Sequence, residues 1–168
     1  FRSVPYLLGL LLSTIVFSIF GIPLVSSWTV GQILVCAIVV IYCEAVKDHK
    51  LIATLATTLI VLVLLGWFAR LALGQGAMEY MHWFMSAGDS VETTTSYLMS
   101  LLVVFTPFFA TCSFYFARVL YRTSFLMLLS LIPFVLYVKV MLPFKLPQLV
   151  FVTVLNIAAF LVHYRTIR

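Results

Sequence analysis

Six stretches of this chain are each close to the length a bilayer demands, and they carry almost no charge. They run over residues 4–25, 28–46, 51–73, 95–117, 124–141 and 149–164, and between them they hold three charged side chains, Glu44, Arg70 and Lys139. A helix needs about 20 apolar residues to cross roughly 30 Å of hydrocarbon. With no water there to satisfy backbone N–H and C=O groups, only helices and closed barrels span a membrane. None of the six runs alternates strictly between apolar and polar residues over a strand's length, which argues against a barrel. The expectation is an all-α, polytopic transmembrane helix bundle of about six spans, built as a single domain over residues 1–168.

Composition closes the other routes. The chain is 64% hydrophobic and 9% charged, where a soluble domain averages about 45–50% and about 25%. Ten Lys and Arg with five Asp and Glu are too few to build a polar skin. Soluble enzymes, disordered tails, disulfide-stapled secreted domains and nucleic-acid binders are thereby excluded. The net charge of +5 is read as a membrane signal, because basic residues set orientation and meet anionic head groups. The expected partners are the lipid bilayer and a membrane or cytoplasmic protein, with no nucleic acid. Cys36 and Cys43 lie seven apart on one apolar run, two helical turns or about 10.8 Å, beyond the roughly 7 Å that a disulfide tolerates. Cys112 belongs to another run, and all three read as small buried hydrophobes.

With six spans, Arg2, Lys47, Lys50, Arg118, Arg122, Arg165 and Arg168 share one side, and Arg70, Lys139 and Lys145 approach the other. Seven against three predicts a multi-pass protein of the cell membrane with both ends of the segment in the cytoplasm. Trp28, Trp67 and Trp83 all fall near the opposite boundary, as interfacial anchors do. The first apolar run is too long for a signal peptide's core and no A-x-A site follows, so a retained helix is expected. Gly21 and Pro23 predict a bent or unwound end to it. The chain opens on Phe1 rather than Met, which leads us to expect part of a longer protein.

Chemistry-bearing residues are sparse. The segment from Gly74 to Glu92 is rich in Met and aromatic residues and contains Glu79-x-x-His82. Di-iron bundles use that spacing, but with two copies and two further carboxylates inside the bundle, so no metal is expected. The plain reading is an amphipathic interfacial helix with Met78, Met81, Trp83, Phe84 and Met85 in lipid; a re-entrant or partner-binding element is the alternative. Asp89-x-x-Glu92 has the form of a capping box. Arg70 lies about a turn from the boundary, where it can snorkel or pair with an acid of the outer loop. Glu44 is expected to pair locally with Lys47. Asn156 is the strongly polar residue deep in the sixth run, suited to hydrogen-bonding between helices. Pro107 and Pro133 predict kinks. Few small-xxx-small pairs stand out, so close helix packing is not expected from sequence. No nucleophile constellation, P-loop or HExxH is present, so catalytic residues and cofactors are not expected.

Phe114-Tyr-Phe-Ala-Arg118-Val-Leu-Tyr-Arg122 followed by Ile132-Pro-Phe-Val-Leu-Tyr-Val-Lys139 resembles the helix-joint-helix of bacterial transglutaminase-like membrane proteins. The layout of apolar runs is similar as well. The resemblance implies that the chain is the N-terminal membrane region of a cell-envelope protein with a transglutaminase-like domain outside the membrane. That domain's Cys-His-Asp triad has no counterpart here, since Cys36, Cys43 and Cys112 lie in apolar runs. The expected role is then non-catalytic anchoring and scaffolding, with Arg118 and Arg122 as anchors or partner contacts and Trp83 at the interface. The alternative is a small transporter or membrane-complex subunit, with Arg70, Pro107 and Pro133 beside a pathway. A metal-dependent membrane enzyme built on Glu79 and His82 is a third reading.

Overall fold

A computed structural model describes residues 3–20, 22, 26–73, 77–85, 95–139 and 145–167. The helices are α1 (Val4–Ile19), α2 (Ser27–Val46), α3 (Lys50–Leu73), a short α4 (Ala77–Met85), α5 (Thr95–Phe114), α6 (Thr123–Lys139) and α7 (Leu146–Ile167). There is no strand among the described residues. The chain is an all-α bundle of about six spans. Helices α2, α3, α7 and α5 with its continuation are each long and apolar enough to cross a membrane. α1 and α6 are shorter apolar helices. Gly21, Pro23, Asp89, Glu92, Arg2 and Arg168, which carried readings above, lie outside the described residues.

The bundle is organised around α1 and α5. Ten of the sixteen residues of α1 are buried, and Leu8, Leu12, Ile15 and Val16 are wholly so. Sixteen residues span about 24 Å, less than the hydrocarbon thickness. A helix wrapped in protein can be short, because its end groups need not meet lipid. Helices α2, α6 and α7 flank α1, while α3 packs against α5 and α4. Their outward faces carry Ile38, Ile41, Leu55, Leu59, Leu128 and Val154, all exposed, as a lipid-facing surface requires.

Close packing, unexpected from sequence, is what joins α1 to α5. A Cβ on Gly9 would stand 2.7 Å from the Ala110 Cα, so only glycine permits this approach. One turn on along α1 and one turn back along α5, Ser13 Oγ lies 2.7 Å from Thr106 Oγ1. Gly9-xxx-Ser13 therefore faces Thr106-xxx-Ala110, an antiparallel pairing of two small-xxx-small seams. Gln32 of α2 completes the contact by donating from Nε2 to Ser13 Oγ over 3.3 Å. Ser13, Gln32 and Thr106 are all buried, and each finds a partner on another helix. Gln148 of α7 similarly donates to Ser18 Oγ of α1. Asn156 of α7 donates to Ser130 Oγ of α6 at 2.9 Å, the interhelical bond expected of it.

Helices α5 and α6 both run through their prolines, Pro107 and Pro133. Past Phe114, α5 widens into a π-helical turn over Tyr115–Val119. Leu120 N–H reaches back five residues to Tyr115 O, and Arg122 N–H reaches Phe116 O.

Candidate functional site

The densest polar assembly is at the end of the bundle where α2 stops and the π turn begins. Its centre is Glu44, in the last turn of α2. Lys47, one turn on, pairs with Glu44 Oε2. Tyr6, in the first turns of α1, donates its hydroxyl to Glu44 Oε1 over 2.7 Å. Arg118, in the π turn, brings a guanidinium nitrogen to 3.7 Å from the same oxygen. Sequence spacing exposes only the Lys47 pair, since Tyr6 and Arg118 are distant in the chain.

Neighbouring contacts close the assembly. Tyr6 stacks on Phe114 with ring centroids 5.9 Å apart. Thr54 of α3 donates to Lys50 O, and its Oγ1 lies 3.2 Å from the Tyr115 hydroxyl. Tyr121, in the joint after the π turn, stacks on His163 of α7 at 3.8 Å. These contacts gather the start of α1, the α2–α3 joint, the α5–α6 joint and the last turns of α7 at one end. Lys47, Lys50, Arg118, Arg122 and Arg165 therefore share that end, as counting spans predicts. The side chains of Arg118, Glu44 and Lys47 are 29%, 33% and 35% exposed, so solvent reaches the cluster and screens it.

The other candidates lie at the opposite end. Arg70 is exposed in the last turns of α3. Glu79 and His82 are exposed and one turn apart on α4, a helix as expected. Trp83 departs from expectation, because it is buried in the bundle, 3% exposed. It stacks on Phe20, just past α1, and on Tyr97 of α5, with centroids at 4.5 Å and 4.8 Å. An amphipathic pattern shows which residues share a face, not whether lipid or protein covers it; here the neighbouring aromatic rings supply a protein slot. Met78 and Met85 are exposed, as the interfacial reading requires. Trp67 is exposed as well, while Trp28 is partly buried against Phe17.

Cys36, Cys43 and Cys112 are free, buried thiols, in keeping with their reading as small hydrophobes. Among the described residues no group of three His, Cys, Asp or Glu side chains is placed to hold a metal. The hydroxyls of Thr111, Ser113 and Tyr121 are buried with no hydrogen-bond partner among the described residues. Comparison of the chain with protein families, curated proteins and solved structures finds no match.

Proposed function

We propose that this bundle is a non-catalytic membrane anchor and scaffold, a rigid unit that holds attached or partner segments in place at its basic end. The observation that carries this reading is the seam between α1 and α5. Gly9 lies against Ala110 with no room for a methyl group, and Ser13, Thr106 and Gln32 satisfy one another beside it. Such an interior favours one fixed arrangement of helices. The bias of basic residues supports a cell-membrane orientation in which the end bearing Lys47, Lys50, Arg118 and Arg122 faces the cytoplasm. A further step, that the cargo is a transglutaminase-like domain of a cell-envelope protein, is supported by the resemblance over residues 114–122 and 132–139. The first test is the intact mass of the native protein. A mass well above 19.0 kDa is expected, with the additional domain retained at the membrane through this segment. A native mass near 19.0 kDa overturns the anchoring of such a domain.

A second reading, a small transporter, draws support from the unpartnered hydroxyls of Thr111 and Ser113 in α5, since orphaned buried polar groups call for an explanation. It expects solute flux in proteoliposomes that a Thr111→Val, Ser113→Ala variant abolishes while remaining folded. Flux that is absent, or unchanged in that variant, removes it.

A further inference from the structure

The basic end has a seam of its own, between the start of α3 and the π turn that ends α5. Thr54 and Tyr115 meet across it through their hydroxyls, and Thr54 is exposed, so the seam opens at the surface. Lys47 and Lys50 stand at the α2–α3 joint, and Arg118 and Arg122 at the α5–α6 joint. Four cations meet two carboxylates here, Glu44 and Asp48. Glu44 pairs with Lys47 and lies 3.7 Å from an Arg118 guanidinium nitrogen. Lys50 and Arg122 are exposed.

The surroundings decide what such a seam would take. Close to the cations in the chain, Leu51, Ile52 and Leu55 of α3 and Leu120 and Phe125 near the joint are all exposed large hydrophobics. A soluble anion would gain nothing from that apolar surface. An acidic protein would have to cover it and the membrane boundary together. A molecule with a negative head and two hydrocarbon tails matches both halves. Basic sites between spans at a membrane boundary recognise lipid head groups in this manner.

We propose that this seam is a head-group site for an anionic phospholipid. Its phosphate lies against Lys47, Lys50, Arg118 and Arg122, and its acyl chains run along the exposed apolar flanks of α3 and α6. The π turn matters to the site, because its wider backbone turn carries Arg118 at the place where it meets Glu44 of α2. The proposal requires that the chain span a membrane, and it is independent of the scaffold role.

The test is native mass spectrometry of the full protein released from nanodiscs containing equal amounts of phosphatidylglycerol and phosphatidylcholine. Phosphatidylglycerol is expected to be retained preferentially. The preference should fall by about fivefold for each cation removed in Lys50→Gln and Arg122→Gln, since a basic residue near a charged leaflet contributes about 1 kcal/mol. Both side chains are exposed, so the variants should fold, and circular dichroism checks that they do. Arg70→Gln with Lys145→Gln, at the opposite end, should leave the preference intact. Competition with inorganic phosphate should not displace the lipid. Equal retention of the two lipids, an unchanged preference in the Lys50 and Arg122 variants, loss of preference in the far-end pair, or displacement by phosphate would each overturn the proposal.

Discussion

Helices α1 and α3 are both strongly apolar, yet they occupy opposite environments. In α1, ten of sixteen residues are buried. In α3, Ala53 is the buried position among the described side chains. α3 is also the most apolar of the four long spans, and Tyr97–Val119, which takes in most of α5 and the π turn, is the least. A soluble protein would reverse the order of these two, placing the more apolar one inside. In a bilayer the surrounding lipid is as apolar as leucine, so apolarity does not sort inside from outside. Small and weakly polar residues do. α1 offers Gly9 and Ser13, and α5 offers Thr106 and Ala110, groups that find close approach or a hydrogen bond against another helix. α3 has Thr54 and Thr58, which return their hydroxyl protons to their own helix at Lys50 O and Thr54 O.

The sharpest way to break the comparison is a pair of glycine substitutions. Gly9→Leu forces a branched side chain into backbone 2.7 Å away. Gly66→Leu in α3 meets nothing within 4 Å. The facing backbone at Phe109 and Ala110 cannot yield without separating the two central helices, so the folded yield in detergent should collapse for Gly9→Leu. Gly66→Leu should fold normally and gain up to about 1 kcal/mol, because it removes the helix penalty of glycine. Thermal unfolding of both variants decides the matter. Equal tolerance at the two sites would mean that α1 is not the centre.

Leucine truncation should give the next largest effect. Leu12 is wholly buried and Leu59 is 64% exposed. Leu12→Ala should cost about 2–5 kcal/mol, through lost contacts and the cavity left behind. Leu59→Ala should stay within about 0.5 kcal/mol, as surface changes do. A smaller effect should separate two threonines. Thr106→Val removes the partner of Ser13 and should cost roughly 0.6 kcal/mol, with about 1.7 as the upper end for such bonds in membranes. Thr58→Val breaks only a bond within one helix and should be neutral. Chemical denaturation in mixed micelles is sensitive enough for the first and checks the second.

How far the sequence reveals this molecule follows from the same distinction. Span positions are legible, because hydrocarbon thickness fixes run length: the run expected over 51–73 is the helix Lys50–Leu73, and that over 28–46 is Ser27–Val46. The interior is much less so. α1 is apolar on every side, and no periodicity marks which face meets protein. The small residues that do mark it, Gly9 and Ser13 against Thr106 and Ala110, form one short pair on each helix and are easily passed over. At the site, Lys47 was visible beside Glu44 because three residues separate them, and local spacing is what a sequence displays. Tyr6 and Arg118 reach Glu44 only through tertiary packing, with Arg118 on a π turn that no residue pattern announces. Trp83 illustrates the converse. Its position near one end was legible, but whether lipid or protein covered it depended on Phe20 and Tyr97.

The smallest expected effect tests whether the basic end resembles the dry centre or the wet surface. Glu44 and Arg118 connect α2 to the end of α5, as Ser13 and Thr106 connect α1 to its middle. Charges one-third exposed are screened by water and salt, and such pairs couple by about 0.2–1 kcal/mol. A double-mutant cycle of Glu44→Gln with Arg118→Gln should therefore return a coupling in that range, and raising the salt concentration should weaken it further. Tyr6→Phe removes a hydrogen bond to the same carboxylate and should cost about 0.5–1.5 kcal/mol, independent of salt to first order. If the cycle instead gave several kcal/mol, insensitive to salt, the carboxylate would be sealed from water. The basic end would then belong to the packed interior, and Lys47 and Arg118 would be held there as structural ions instead of being presented to a head group.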